Sequence, residues 1–191
     1  MQAASLQLIH NICKHDLANR LAACRTFTMD PANTAQFVPP SAIWMWAFPI
    51  TYLIHIAEEY WGGEGYMAYL YRIRGVHLST TRFFLFQGLG VVLIVVGIFV
   101  SLHLRWPRFF LSIMGALVLS NGITHTVTAI RHKGYGPGLV CSVLLWIPLG
   151  LVTLILLAIE IPTLRLIVAG SIGLAINGVV ALIALRGGRI K

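Results

Sequence analysis

The sequence predicts an all-α protein, a polytopic membrane helix bundle with about five transmembrane helices. Three observations lead to this fold class. Hydrophobic residues make up 58% of the 191 residues and charged residues only 10%, against about 25% charged residues in soluble domains. The mean hydropathy is +0.82. Five segments reach the roughly 20 apolar residues that a helix needs to cross a bilayer.

The five segments follow one another along the chain at about 41–61, 83–104, 109–130, 138–159 and 166–185. Proline and glycine within them are compatible with membrane helices, because neighbouring helices satisfy the freed backbone groups. The short connections at 105–108 and 160–165 predict antiparallel helical hairpins. The longer loop 62–82 mixes tyrosine with arginine, a composition suited to the lipid headgroup region.

The chain is predicted to form one membrane domain, residues 39–191, preceded by an N-terminal segment, residues 1–38. That segment carries Lys14, Arg20 and Arg25 and lacks an apolar run long enough for a signal peptide. Two interpretations of it remain open. One is a disordered or weakly amphipathic tail, and the other is a mis-assigned start, with Met29 as the natural first residue.

The net charge of +8 does not indicate nucleic-acid binding, because the basic residues flank apolar segments instead of forming a stripe with interleaved aromatics. The expected partner is the lipid bilayer, and the oligomeric state is left open. An excess of Lys and Arg marks cytoplasmic loops. The loops after the first and third segments and the C-terminus hold eight cations: Arg72, Arg74, Arg82, Arg131, Lys133, Arg186, Arg189 and Lys191. The opposite side holds three, Arg105, Arg108 and Arg165, or six if the cations of the N-terminal segment are included, which would make the difference weak. We therefore expect a multi-pass protein of the cell membrane with a cytoplasmic C-terminus.

The most informative polar residues are His55, Glu58 and Glu59, near the end of the first segment. Offsets of three and four return to the same face of a helix, so His55 can share a face with either glutamate. An ionisable residue at the centre of a membrane helix costs about 2.5–3.5 kcal/mol on insertion scales. Such residues therefore indicate a function.

The third segment carries a second polar set, Asn121, His125 and His132, with Thr128 on the same face. The first and third segments run in the same direction, because the second runs back between them. Both polar sets then lie toward the same side of the membrane and are predicted to meet. Gln87 enters the second segment from that side and can reach the same place, whereas Cys141 is interpreted as a small apolar core residue.

Imidazole and carboxylate groups that face one another from two helices are a good ligand set for Zn²⁺ or non-haem iron. The predicted metal ligands are His55, Glu58, Glu59, His125 and His132. The predicted catalytic residues are Glu58 and Glu59, one of them as general base, and Tyr135, as a hydrogen-bond donor at the entrance of the predicted metal site.

Structural interpretations stay open beside this one. Glu59 could lie solvated at the interface, and Glu58 could pair with an arginine as a topology anchor. His125 could hydrogen-bond a neighbouring helix, and His132 could be interfacial, since Arg131 and Lys133 flank it.

The residues also resemble a known family. His-x-x-Glu-Glu at 55–59, a downstream histidine at 125 or 132 and Tyr135-Gly136-Pro137-Gly138 directly after a membrane helix resemble the HXXEE-domain family. The resemblance covers roughly residues 40–185. It implies a small integral membrane protein with a shared polar site, and it implies no particular reaction.

Three functions follow as hypotheses. The first is a membrane-embedded, metal-dependent enzyme that acts on a lipidic or amphipathic substrate through a His/Glu site near the cytoplasmic face. The second is a metal-free acid/base isomerase. The third is a non-enzymatic transporter-like protein or proton relay, since such proteins also use intramembrane His and Glu. The concentration of polar groups at one end of the bundle argues against a path across the membrane.

Overall fold

The computed structural model describes residues 40–186, and the predicted N-terminal segment 1–38 lies outside the described residues. The described residues form helices and connecting turns, without a β-strand among them. In chain order the helices are α1 (Pro40–Met45), α2 (Ala47–Trp61), α3 (Tyr66–Arg74), α4 (Thr80–His103), α5 (Pro107–Arg131), α6 (Leu139–Ala158) and α7 (Thr163–Arg186).

Four of the described helices are long and apolar enough to cross a membrane, namely α4, α5, α6 and the part of α7 that ends at Ile183. The all-α, multi-pass membrane class is thus confirmed. These four helices begin and end within a few residues of the predicted segments. Their apolar side chains are largely exposed on the bundle surface, as expected for helices in contact with lipid.

The first predicted segment, 41–61, differs from the prediction because it is not one continuous helix. It is divided at Trp46 into the short helix α1 and the longer helix α2. The break has a physical cause in Pro49, which has no N–H and whose ring clashes with the carbonyl group four residues earlier. That earlier residue is Met45, where α1 ends, so each part is shorter than a bilayer-spanning helix.

The loop 62–82 contains a helix that the composition did not predict. Helix α3 begins after Gly65 and ends at Arg74, directly before Gly75, with Tyr69 and Leu70 buried. Its last turn carries Arg72 and Arg74, and basic residues interact favourably with a helix C-terminus.

Helix α6 contains one widened turn, in which residues 142–146 adopt π-helical hydrogen bonding. The N–H of Ile147 bonds to the carbonyl oxygen of Ser142, five residues earlier. Pro148 follows at once and cannot donate to the regular helical ladder. Single π turns of this kind are frequent at functional sites, and here the turn places Trp146 in the interior, 2% exposed.

Helix α5 is the centre of the bundle, since it makes its most extensive contacts with α6 and α7. The contact with α6 depends on small residues, because Gly115 and Gly150 face each other across the interface. Small residues let membrane helices approach closely, and the resulting packing stabilises their association. Apolar side chains from α1, α2, α4, α5 and α6 complete the core: Met45, Phe48, Ile94, Ile98, Leu111, Met114, Val118, Cys141, Trp146 and Leu157.

Gly150→Ala is expected to destabilise the bundle by about 1–3 kcal/mol, the usual cost of overpacking. The added carbon would lie 2.6 Å from the carbonyl oxygen of Gly115 and 2.8 Å from Cβ of Leu119. Gly178→Ala on α7 is the matched control, because open space surrounds that position. Thermal unfolding in detergent should show a lower midpoint for Gly150→Ala alone. Equal midpoints for the two variants would contradict the proposed close packing.

Candidate metal centre

Helices α2 and α5 bring three potential metal ligands together. His55 and Glu59 are one helical turn apart on α2 and are almost completely buried, 1% and 4% exposed. His125, six residues before the end of α5, points at the same place. Nε2 of His55 lies 3.4 Å from Oε1 of Glu59, and Nε2 of His125 lies 3.5 Å from the same oxygen atom. Of the second polar set, His125 therefore meets His55 and Glu59 of the first.

These two distances fit a metal site better than they fit direct hydrogen bonds. A normal N–H···O hydrogen bond joins atoms about 2.7–3.2 Å apart. Ligands bound about 2.0–2.1 Å from a tetrahedral zinc ion stand about 3.3–3.4 Å from one another. The ligand atoms of His55, Glu59 and His125 form a group that could hold a metal ion, with all atoms within 4.8 Å of one another.

The turn before α6 shapes the space around both imidazole rings. Pro137 is buried, and Nδ1 of His125 faces this turn, 3.1 Å from where a Cβ atom at Gly138 would lie. On the other side, the ring of Trp146 stacks on His55 with centroids 3.7 Å apart.

Glu58 has a different environment from Glu59. Its Oε1 accepts hydrogen bonds from the hydroxyl group of Tyr135, at 2.9 Å, and from the backbone N–H of Val140, at 2.8 Å. Its Oε2 accepts one from the backbone N–H of Cys141, at 2.6 Å. Glu58 thus caps the N-terminus of α6, where backbone N–H groups lack partners and the helix dipole favours negative charge.

The cap also ties Tyr135 to the site, and Tyr135 lies in the turn between α5 and α6. Burial and the hydrogen bond to Glu58 raise the pKa of Tyr135 to about 12. The neutral phenol, which can donate a hydrogen bond, is therefore the form present at physiological pH. Tyr135 is half exposed, and its hydroxyl group lies at the rim of a groove.

The groove has a volume of about 430 Å³ and runs between α2 and α6. Its walls are mainly apolar, and Ile54, Val140 and Leu144 also belong to the exposed surface of the bundle. It therefore opens sideways, toward the space that lipid occupies. Glu58 and Tyr135 provide polar groups within the lining, which consists of Ile54, Glu58, Tyr135, Val140, Cys141, Leu144 and Leu145.

The remaining predicted residues are placed as follows. His132 follows the last residue of α5, is exposed and belongs to neither of the described groups that could hold a metal ion. Cys141 is buried in the apolar core, as interpreted. Its thiol also belongs to a second group with His55 and Glu58, although Glu58 is already engaged as the cap of α6.

Two residues that support the centre come from α4 and α2. The side-chain amide of Gln87 donates to Oε2 of Glu59, and the hydroxyl group of Tyr52 donates to Oε1 of Gln87, at 2.6 Å. The sequence indicated that Gln87 could reach the site but did not single out Tyr52. The spacing of Tyr52, His55 and Glu59, three and then four residues, places them on one helix face and could have revealed it.

Fold and site together define a multi-pass membrane helix bundle with a buried group of one carboxylate and two imidazoles. The sequence model of one family, described as a protein of unknown function with an HXXEE motif, matches residues 46–153. The chain belongs to this family, and its motif is His55-Ile56-Ala57-Glu58-Glu59. Comparisons with curated proteins and with solved structures give no match.

Gly138→Ala is expected to disrupt the centre. Gly138 has a φ of +85°, which side-chain-bearing residues rarely adopt. A Cβ atom there would lie 2.6 Å from Cε1 of His55 and 2.9 Å from Cε1 of His125. Gly134→Ala in the same turn is the control, because its nearest neighbour would be 3.8 Å away. Metal content and thermal stability should fall for Gly138→Ala only. A Gly138→Ala protein with full metal content would contradict this geometry.

Proposed function

We propose that the protein is a membrane-embedded, metal-dependent enzyme that acts on a lipidic or amphipathic substrate. The observation that carries this proposal is the convergence of His55, Glu59 and His125 in a buried site, with nitrogen-to-oxygen distances that suit a shared ion. A divalent cation would also offset the cost of burying the charge of the Glu59 carboxylate, which the neutral amide of Gln87 does not compensate.

The ligand set has a known chemical use. Two histidines and one carboxylate bind catalytic zinc in several hydrolytic enzymes and leave a position open for water. The same set binds non-haem Fe²⁺ in oxygenases, with positions open for oxygen and substrate. In this protein the three side chains would hold Zn²⁺ or Fe²⁺, and the bound ion would activate water or oxygen.

The position and lining of the groove favour a substrate that enters from the lipid bilayer. Its apolar walls suit a hydrocarbon chain, and its volume lies within the range of small-molecule sites. Glu58 and Tyr135 line the groove. The ligand atoms of Glu58 and His55 lie within 4.8 Å of each other, and His55 is also one of the three proposed metal ligands. A polar headgroup beside Glu58 and Tyr135 would therefore lie next to the metal centre. In this proposal Glu59 is a ligand, and Tyr135, whose hydroxyl proton is donated to Glu58, orients the substrate by accepting a hydrogen bond from it.

The sidedness of the site follows from the distribution of cations. The centre lies at the end of the bundle where α5 ends and α6 begins, together with Arg74, Arg131 and Lys133. Cytoplasmic loops carry the excess of Lys and Arg. We therefore propose that the centre and the C-terminus are at the cytoplasmic face of the cell membrane.

The two alternative functions would place different demands on the same contacts. A metal-free isomerase would use the same His and Glu side chains for proton transfer, and activity that survives exhaustive chelation would favour it. A proton relay would need polar groups throughout the bundle. In the described residues the hydrogen-bonded set around Glu59 reaches Tyr52, and apolar core residues such as Phe48 and Ile98 lie beyond.

Metal analysis of the purified protein tests the proposal. Wild-type protein, loaded with Zn²⁺ or Fe²⁺ under reducing conditions and desalted, should retain about one ion per chain. His55→Ala and His125→Ala should retain almost none, because each removes one of three ligands. His132→Ala is the matched control and should retain the wild-type amount. Wild-type protein without bound metal, or equal loss in His132→Ala, would overturn the proposed centre.

A further inference from the structure

We infer that Gln87, held by Tyr52, is the positioning residue of the metal centre, fixing which oxygen of Glu59 faces the ion. The inference rests on the proposed metal site and extends it from its ligands to their support. Gln87 hydrogen-bonds to Glu59, and Tyr52 hydrogen-bonds to Gln87, so their role would be exerted through Glu59.

The hydrogen bonds define a direction. The Gln87 amide nitrogen donates to Oε2 of Glu59, which leaves Oε1 as the oxygen atom that faces both imidazole rings. If the amide were reversed, its oxygen would face the carboxylate, and two acceptors would meet without a proton between them. The hydroxyl of Tyr52 donates to the amide oxygen and so reinforces the orientation that Glu59 requires.

The position of Tyr52 is itself built into the helix packing. Gly90 lies three residues after Gln87 on α4, so both residues are on the same face. A Cβ atom at position 90 would lie 3.1 Å from Cζ of Tyr52, and closer still to its hydroxyl oxygen. The missing side chain of Gly90 therefore makes the space in which the phenol ring reaches Gln87.

Tyr52 also contacts Trp146, the residue that packs against the ligand His55. Its ring stacks on that of Trp146, with centroids 5.9 Å apart and an interplanar angle of 5°. Trp146 in turn stacks on His55. One residue of α2 thus supports the carboxylate ligand through Gln87 and the imidazole ligand through Trp146.

The consequence is control of the coordination number. With Oε2 engaged by Gln87, Glu59 can bind an ion through Oε1 alone, which favours a four-coordinate site with one position open to water. Without this hydrogen bond the carboxylate can rotate and bind through both oxygens, which raises the coordination number. Loss of an outer hydrogen-bond partner of a ligand costs about 10–100-fold in metal affinity.

Cobalt substitution measures both effects, because Co²⁺ reports its coordination number in the intensity of its visible absorption. Full-length protein in detergent would be titrated with Co²⁺ as wild type, Gln87→Met and Tyr52→Phe. Gln87→Met removes the hydrogen bond and approximately keeps the volume, and Tyr52→Phe keeps the stacking on Trp146. Ser101→Ala is the matched control: it removes a side-chain hydrogen bond of α4 about 21 Å along the helix from Gln87.

We expect intense four-coordinate bands for wild type and for Ser101→Ala. Gln87→Met should bind Co²⁺ about 10–100-fold more weakly and with weaker bands, and Tyr52→Phe should shift both readouts in the same direction by less. If Gln87→Met does not fold, Tyr52→Phe carries the test by itself. Absence of Co²⁺ binding by wild type would overturn the proposed function and this inference together. Wild-type affinity and spectrum in both variants would overturn the inference alone and leave the metal centre intact.

Discussion

The buried carboxylate of Glu59 is the group on which the arrangement of the site depends. A charge buried inside a protein must be neutralised or paired, and Glu59 is 4% exposed. Every polar contact it makes comes from a different part of the bundle: His55 one turn earlier, His125 from α5 and Gln87 from α4. The site is therefore assembled only when these helices are packed together, so that folding and formation of the centre are one event.

The paired glutamates of the motif divide two tasks between them. Adjacent residues on a helix point about 100° apart, so they face different neighbours. Glu59 faces the imidazoles, whereas Glu58 binds the free N–H groups at the start of α6 and the hydroxyl of Tyr135. The cap holds α6 against α2 and fixes the turn that contains Pro137 and Gly138. The same turn encloses both His55 and His125, so Glu58 supports the surroundings of Glu59.

Much of this could be predicted from the sequence, and the limits have physical causes. Hydropathy and length located α4 to α7, and the direction of successive segments placed His125 level with the HXXEE motif. Spacing could not decide between Glu58 and Glu59, because offsets of three and four from His55 are both compatible with one helix face. The break at Trp46 is caused by Pro49. The prediction missed it because the apolar composition of segment 41–61 is the same with or without a helix break. Trp146, which stacks on His55, is the last residue of the π turn of α6, and no pattern in an apolar segment distinguishes a site-lining tryptophan from a core residue.

The most direct measurement of the central claim is X-ray absorption spectroscopy of the zinc-loaded protein. Coordination by His55, His125 and Glu59 predicts a shell of nitrogen and oxygen atoms at about 2.0–2.1 Å, with the outer-shell scattering of two imidazole rings and without sulfur. A sulfur atom at about 2.3 Å would instead assign the ion to Cys141, within the second group formed by His55, Glu58 and Cys141. A spectrum with a sulfur ligand, or with no imidazole scattering, would contradict the account.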